Sequence, residues 1–221
     1  ASLHGAIDNM NSAKLFVDDQ GSININQLRS KLRKLKNQHP EIEIAVIDYL
    51  QIMQGVGNQD RHLQVSEISR GLKMLARELE MPVVALSQLN RGLESRNDKR
   101  PMLSDIRESG SIEQDADIIL FVYRDDVYLY KEEKEREKAA KAEGKEFISE
   151  YIEKEEEDAE IIIGKQRNGP TGHVKLVFQK KLTRFVDAPK FSAGVETVYE
   201  NVDTRSANID MGESSVSMPS I

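Results

Sequence analysis

Ile44–Met53 reads IAVIDYLQIM and Val83–Arg91 reads VVALSQLNR, and these two runs decide the fold. Each begins as the short continuous apolar run of a buried strand and ends in polar groups, Asp48 in the first and Gln88 in the second. Ligands of open α/β sheets bind outside the carboxyl ends of the strands. A carboxylate and an amide displayed there point to the nucleotide-hydrolysing class, a motor or switch ATPase.

Outward from these runs, strand and helix patterns alternate. Lys14–Asp19 (KLFVDD) reads as a short strand, and Leu28, Leu32 and Leu35 then share one helical face, opposite a row of cations, before Pro40. Val65, Ile68, Leu72, Leu75, Ala76 and Leu79 fall at amphipathic spacing between the two strands. Ala116–Tyr123 (ADIILFVY) is a third apolar run, and Glu160–Gly164 with His173–Phe178 are expected to close the sheet, as a hairpin. Apolar runs joined by amphipathic helices predict an α/β fold, a largely parallel sheet with helices on both faces.

Composition sets the limits. A chain of 221 residues, 38% hydrophobic and 31% charged, can bury one sizeable core and leave appendages over. It has no cysteine, which excludes disulfides and thiolate metal sites, and no apolar run long enough for a membrane span. The expected compartment is the cytoplasm. The start, ASLHGAIDNMN, lacks both a signal-peptide pattern and an initiating methionine, so the chain reads as a fragment or a processed product.

The net charge of −7 argues at first against a nucleic-acid partner, but residues 131–160 hold 13 acidic against 7 basic side chains. This run has the composition of a solvated helix, or of a helical hairpin broken near Gly144; the other reading is a docking arm for a partner protein. Residues 1–187 are expected to form the folded domain, with the charged insertion at about 131–158, and the polar, aperiodic residues 188–221 a disordered tail.

Beside a triphosphate, a carboxylate leaving a buried strand at Asp48 can hold magnesium through water or accept a hydrogen bond from a magnesium-bound water; otherwise Asp48 caps the following turn. Gln88 suits the sensing of a γ-phosphate or the orienting of water. Lys165–Gly172 reads KQRNGPTG, and in an extended backbone Lys165 and Arg167 project to one side, as a clamp on phosphate oxygens requires. Asn168, Gly169 and Pro170 also build a plain β-turn. Gly164 and Gly169 have P-loop spacing, but Pro170 stands where the lysine belongs, so no Walker A loop is present in the sequence. The connector Asn90–Asp117 carries Arg91, Arg96, Lys99 and Arg100, with Ser104 and Ser111 as candidate helix caps and Gly110 as a left-handed helix end. It reads either as a loop tracking a phosphate backbone or as a solvated basic loop.

Taken in order, VIDYLQIM, SQLNRGLESRNDKRPMLSDIRESGSIEQDAD and KQRNGPTG closely resemble the later motifs of DnaB-type bacterial replicative DNA helicases, over about Lys14 to Val186 apart from the charged insertion. The resemblance implies a RecA-like motor domain, truncated on its N-terminal side, that hydrolyses ATP with Mg2+. It implies a homohexameric ring on single-stranded DNA moving 5′ to 3′, with primase and a helicase loader as partners, at the bacterial nucleoid. By the same resemblance Asp48 is the Walker B aspartate and Gln88 the γ-phosphate sensor. Lys165 and Arg167, with Gln166 between them, face a neighbouring subunit's nucleotide, Arg167 as the arginine finger. Arg107, Glu108 and Gly110 contact the DNA backbone.

The family's Walker A loop and its primase-binding N-terminal domain have no counterpart in these residues, so this chain alone is expected neither to hydrolyse ATP nor to unwind DNA. Alternatives are a RecA-type recombinase ATPase, against which the RESG and KQRNGPTG strings argue, and a non-catalytic interaction module that retains the fold. His4, His39, His62 and His173 show no metal-ligand spacing, and no GxSxG elbow occurs.

Overall fold

The computed structural model describes residues 3–55, 60–106 and 109–189. After helix α1 (Leu3–Ser12), Lys14–Asp19 forms no strand, with Leu15 and Val17 exposed. The apolar pattern is there, but a strand exists only where a partner accepts its backbone hydrogen bonds, and no described edge does so.

Helix α2 (Ile25–Gln38) begins at Asn24, whose side chain accepts from the Gln27 amide while Gln27 reaches back to the Asn24 amide, a reciprocal capping box. Strand β1 (Ala45–Ile47) pairs in parallel with β2 (Val83–Ala85), Ala45 opposite Val83 and Ile47 opposite Ala85. Helix α3 (Arg61–Glu78) makes the crossover between them. It buries Val65, Ile68, Leu72 and Leu75, the predicted stripe, each such side chain worth about 1.5–3 kcal/mol of transfer free energy. The Glu78 carboxylate receives Arg29 and Arg33 from α2, which ties the two helices together.

Helix α4 (Ser109–Asp115) leads into β3 (Ile118–Tyr123), which heads a four-stranded antiparallel sheet in the order β3, β4 (Glu156–Gln166), β5 (Gly172–Gln179), β6 (Arg184–Asp187). The hairpin expected from the sequence is therefore β4–β5, flanked by two further antiparallel strands, while the parallel portion among the described residues is β1–β2. One core joins both sheets. Ile119 and Phe121 of β3 pack with Val65, Ile68 and Leu72 of α3 and Ile112 of α4, and Ile47, Val83 and Ala85 lie against them. The opposite strand faces carry Val46, Val84, Ile118, Leu120 and Val122, all exposed.

The β3–β4 ladder contains one irregularity that bears on function. Ile119 pairs with Lys165 but Leu120 with Ile163, so Gly164 is an extra residue, a β-bulge that shifts the in-out phase just before Lys165. A Cβ at Gly164 would lie 2.4 Å from Cε2 of the buried Phe121 ring. Gly164→Ala is expected to cost about 1–3 kcal/mol by overpacking, lowering the melting temperature by roughly 2–4 °C per kcal/mol. Gly21→Ala, where nothing lies within 4 Å of the added carbon, is the control; equal melting of the two variants would refute the packing role.

The charged insertion is half as expected. Helix α5 (Asp125–Ala142) is solvated along most of its length and ends before Gly144, which takes φ +67°. The chain then returns in irregular form rather than as a second helix. Buried Glu133 organises that return by accepting the Glu150 amide at 2.7 Å and the Tyr151 amide at 3.4 Å. The Ser149 hydroxyl and those amides hold its carboxyl below the usual range. Tyr151 meets Tyr130 edge-on at 5.5 Å, and Lys180 donates to its hydroxyl at 3.2 Å, so the returning segment is fastened to both the helix and the sheet.

Candidate functional site

Asp48 follows β1 directly, at the carboxyl end of the parallel pair, with its side chain exposed. The Asp48–Tyr49 peptide is cis. No cation or donor among the described residues reaches its carboxylate, so the cap reading has no hydrogen bond to support it. A free, outward carboxylate of this kind suits a hard, water-retaining cation such as magnesium, which one or two carboxylates commonly hold.

Gln88 lies three residues beyond β2, also exposed. The link between the two strand ends is a residue the sequence reading passed over. The Gln51 side chain donates to the Ser87 hydroxyl at 2.9 Å and accepts the Gln88 amide at 3.1 Å. Gln51 is itself held, since Arg61 donates to the Gln51 carbonyl at 2.8 Å and to the Met53 carbonyl at 3.1 Å. One side chain thus sets the segment after Asp48 against the segment carrying Gln88. Nothing in the pattern LQIM marks Gln51, because its role comes from a pairing between residues 36 or more positions apart.

Lys165 lies near the end of β4 and Arg167 in the turn that follows it, and both reach the carboxyl end of α4. The Lys165 ammonium takes the Glu113 carbonyl and, at 2.7 Å, the Ala116 carbonyl. Cations there satisfy carbonyls that the helix leaves unpaired. The Arg167 guanidinium donates to the Gln114 carbonyl at 3.1 Å and stands 3.7 Å from Asp117. Asp117 also receives Lys73 from α3, whose ammonium holds the Asp117 carboxyl below its usual range. The two cations differ in commitment: Lys165 is half-buried and doubly bonded, whereas Arg167 is exposed and loosely engaged. Gln166 points elsewhere, its amide lying over Gly169 in the turn that follows. No hydrogen bond or ion pair among the described residues joins Lys165 or Arg167 to Asp48 or Gln88.

Of the candidate DNA contacts, Arg107 and Glu108 lie outside the described residues, and Gly110 sits exposed in the first turn of α4. Ser111 is inside that helix and Ser104 inside a 3-10 turn (Leu103–Asp105), so neither caps as expected; Asn90 and Asp105 hold the backbone amides of this connector instead. None of the four histidines joins a cluster of three potential metal ligands among the described residues, and no described helix is long and apolar enough to cross a membrane.

A parallel β–α–β unit with a carboxylate and an amide at its strand ends, sharing one core with an antiparallel sheet, is an α/β architecture of RecA-like type. Residues 1–187 match the family model of the DnaB-like helicase C-terminal domain, and the chain belongs to that family. It is 48% identical over 202 residues to the replicative DNA helicase DnaB of Helicobacter pylori strain 26695, covering 85% of this chain and 41% of that protein. It is 50% identical over 184 residues to DnaB of Geobacillus stearothermophilus, covering 82% and 36%. Among solved structures, a DnaB-like replicative helicase described with its interactions with primase aligns at TM-score 0.70 and 42% identity, over 85% of this chain and 41% of that one. The ATPase domain of G40P aligns at TM-score 0.70 and 42% identity, over 84% and 59%. The chain spans about two fifths of the length of the H. pylori relative.

Proposed function

We propose that this chain is the later part of the motor of an ATP-driven replicative DNA helicase, with residues 1–187 forming that part of the motor, about 131–158 its insertion and 188–221 a tail. The observation that carries the reading is the Gln51 bridge, which holds Gln88 in a fixed relation to the strand end where Asp48 stands free. ATP is the substrate. Asp48 would hold magnesium through water, and the ion would supply positive charge beside the triphosphate. Gln88 senses the γ-phosphate. Lys165 and Arg167, with Gln166, face the nucleotide of a neighbouring subunit in a homohexamer, and Arg107, Glu108 and Gly110 contact the backbone of single-stranded DNA.

In this reading, water attacks the γ-phosphorus, the β–γ bridging oxygen leaves with ADP, and the released phosphate no longer links Asp48's side of one subunit to Arg167 of the next. The lost contacts let neighbouring subunits shift and carry the DNA strand with them, 5′ to 3′. Primase, with which the DnaB-like helicase structure is described, and a helicase loader are the proposed partners, and the bacterial nucleoid the proposed place of action.

The test is strand separation. The full-length protein carrying this chain should open a forked duplex with a 5′ tail when given ATP and magnesium, and not one with only a 3′ tail. The 221-residue chain by itself, which holds no GxxxxGK[ST] loop, should show no magnesium-dependent turnover. A full-length protein inert on both forks would overturn the helicase reading.

A further inference from the structure

One carboxylate at the start of β3 is approached by two cations. Asp117 sits exposed between the end of α4 at Asp115 and the first residue of β3, Ile118. Its carbonyl accepts the Arg167 amide at 2.9 Å. Main-chain pairing therefore sets Arg167 beside Asp117 whatever their side chains do. For two such neighbours the strongest arrangement is the bidentate pair, in which a guanidinium gives two parallel hydrogen bonds to one carboxylate.

That pair is not formed, because Lys73 has taken the carboxylate. Lys73, from the middle of α3, donates to Asp117 Oδ2. Arg167 comes no nearer than 3.7 Å to Oδ1, beyond hydrogen-bond range, and donates instead to the Gln114 carbonyl at 3.1 Å. The Lys73 side chain is 20% exposed against 47% for Arg167, so the lysine is the more sheltered of the two competitors. Arg77, one turn further along α3, adds positive charge near the same carboxylate. The lysine wins the contact although the main chain has placed the arginine alongside.

We infer that Lys73 is a positioning residue for Arg167: by occupying the Asp117 carboxylate it keeps that arginine from being locked in an ion pair within its own subunit. This assignment rests on the arginine-finger reading above. Lys73 acts through Asp117 and not on the nucleotide. Without the lysine ammonium, the carboxylate turns to the guanidinium beside it and the bidentate pair closes. Arg167 must then break that pair before it can reach across a subunit boundary. Turnover falls while the affinity for ATP stays as it was, since a finger acts on charge that develops in the transition state.

The experiment uses the full-length protein with Lys73→Met, which keeps the apolar stem and removes the charge, with Asp117→Asn, and with both changes together. Two quantities are read. The first is the rate at which phenylglyoxal modifies Arg167 in nucleotide-free protein, followed by peptide mass spectrometry, and the second is kcat and KM for ATP. An exposed ion pair shifts an equilibrium by about 2- to 5-fold. Lys73→Met should slow the modification and lower kcat by that factor, with KM unchanged. The double variant should recover both, because without the carboxylate nothing locks the arginine, and Asp117→Asn alone should be no slower than wild type. Should Lys73→Met fail to fold, Lys73→Gln, which keeps a neutral donor, takes its place with the same expectations. An unaltered modification rate overturns the inference, and so does a double variant as impaired as the single one, which is what a merely structural lysine would give. Modification rates that shift and recover while kcat stays at the wild-type value would instead overturn the arginine-finger reading and leave the competition for Asp117 standing.

Discussion

Replacing Arg167 by alanine in the full-length protein is expected to lower ATP turnover by about 10³-fold or more, the value of an arginine finger, while leaving the proposed ring assembled. The local geometry explains why the two outcomes separate. The guanidinium is exposed and held within its own subunit by one carbonyl at 3.1 Å and a loose 3.7 Å approach to Asp117. Giving up those contacts costs the fold little, so the side chain is free to be spent across a subunit boundary. Lys165 is the contrast, because removing it strands the carbonyls of Glu113 and Ala116 at the end of α4. Sedimentation velocity reads assembly and a phosphate-release assay reads turnover. Undiminished turnover in an assembled Arg167→Ala ring would refute the finger.

Asp48→Asn should be the second large effect, a loss of magnesium-dependent turnover of about a hundredfold, as for removal of an outer-sphere metal partner. The substitution keeps the shape and removes the charge. The carboxylate is exposed and engages no donor among the described residues, so melting should be unchanged. Raising the magnesium concentration should recover part of the rate, because a weaker hold on the ion is a binding defect that mass action offsets. Full activity at ordinary magnesium would refute the assignment, and a lowered melting temperature would point to a structural carboxylate.

How much of this was legible in the sequence depended on the range of the forces involved. Helix α3 was readable because Val65, Ile68, Leu72 and Leu75 repeat with the helical period and all four are buried. β1, β2 and β3 were readable as short apolar runs. The opening residues of β4, Glu156–Asp158, were not, since acidic residues carry no strand signal and are held there by pairing with Val177, Phe178 and Gln179. β6 escaped for a similar reason, its four residues being held in a strand by pairing with β5, where the tilted rings of Phe178 and Phe185 meet across the ladder at 4.8 Å. Lys14–Asp19 shows the converse, an apolar run without a partner. At the site, Asp48, Gln88, Lys165 and Arg167 stood out by type and by position at strand ends. Gln51 did not, because its contacts with Ser87 and Gln88 are made across the fold and no local spacing encodes them.

The exposed row on β3 bears on how the molecule behaves in a test tube. Ile118, Leu120 and Val122 are 55%, 56% and 58% exposed on a strand that ends its sheet among the described residues. An apolar strand with an open edge is a template for edge-to-edge pairing between copies. The net charge of −7, much of it in the returning segment that follows α5, opposes that pairing only through screened repulsion. Colloidal association of the isolated chain therefore rises with both protein and salt concentration. A particle size measured on it at high concentration would count sticky strands rather than subunits in a ring.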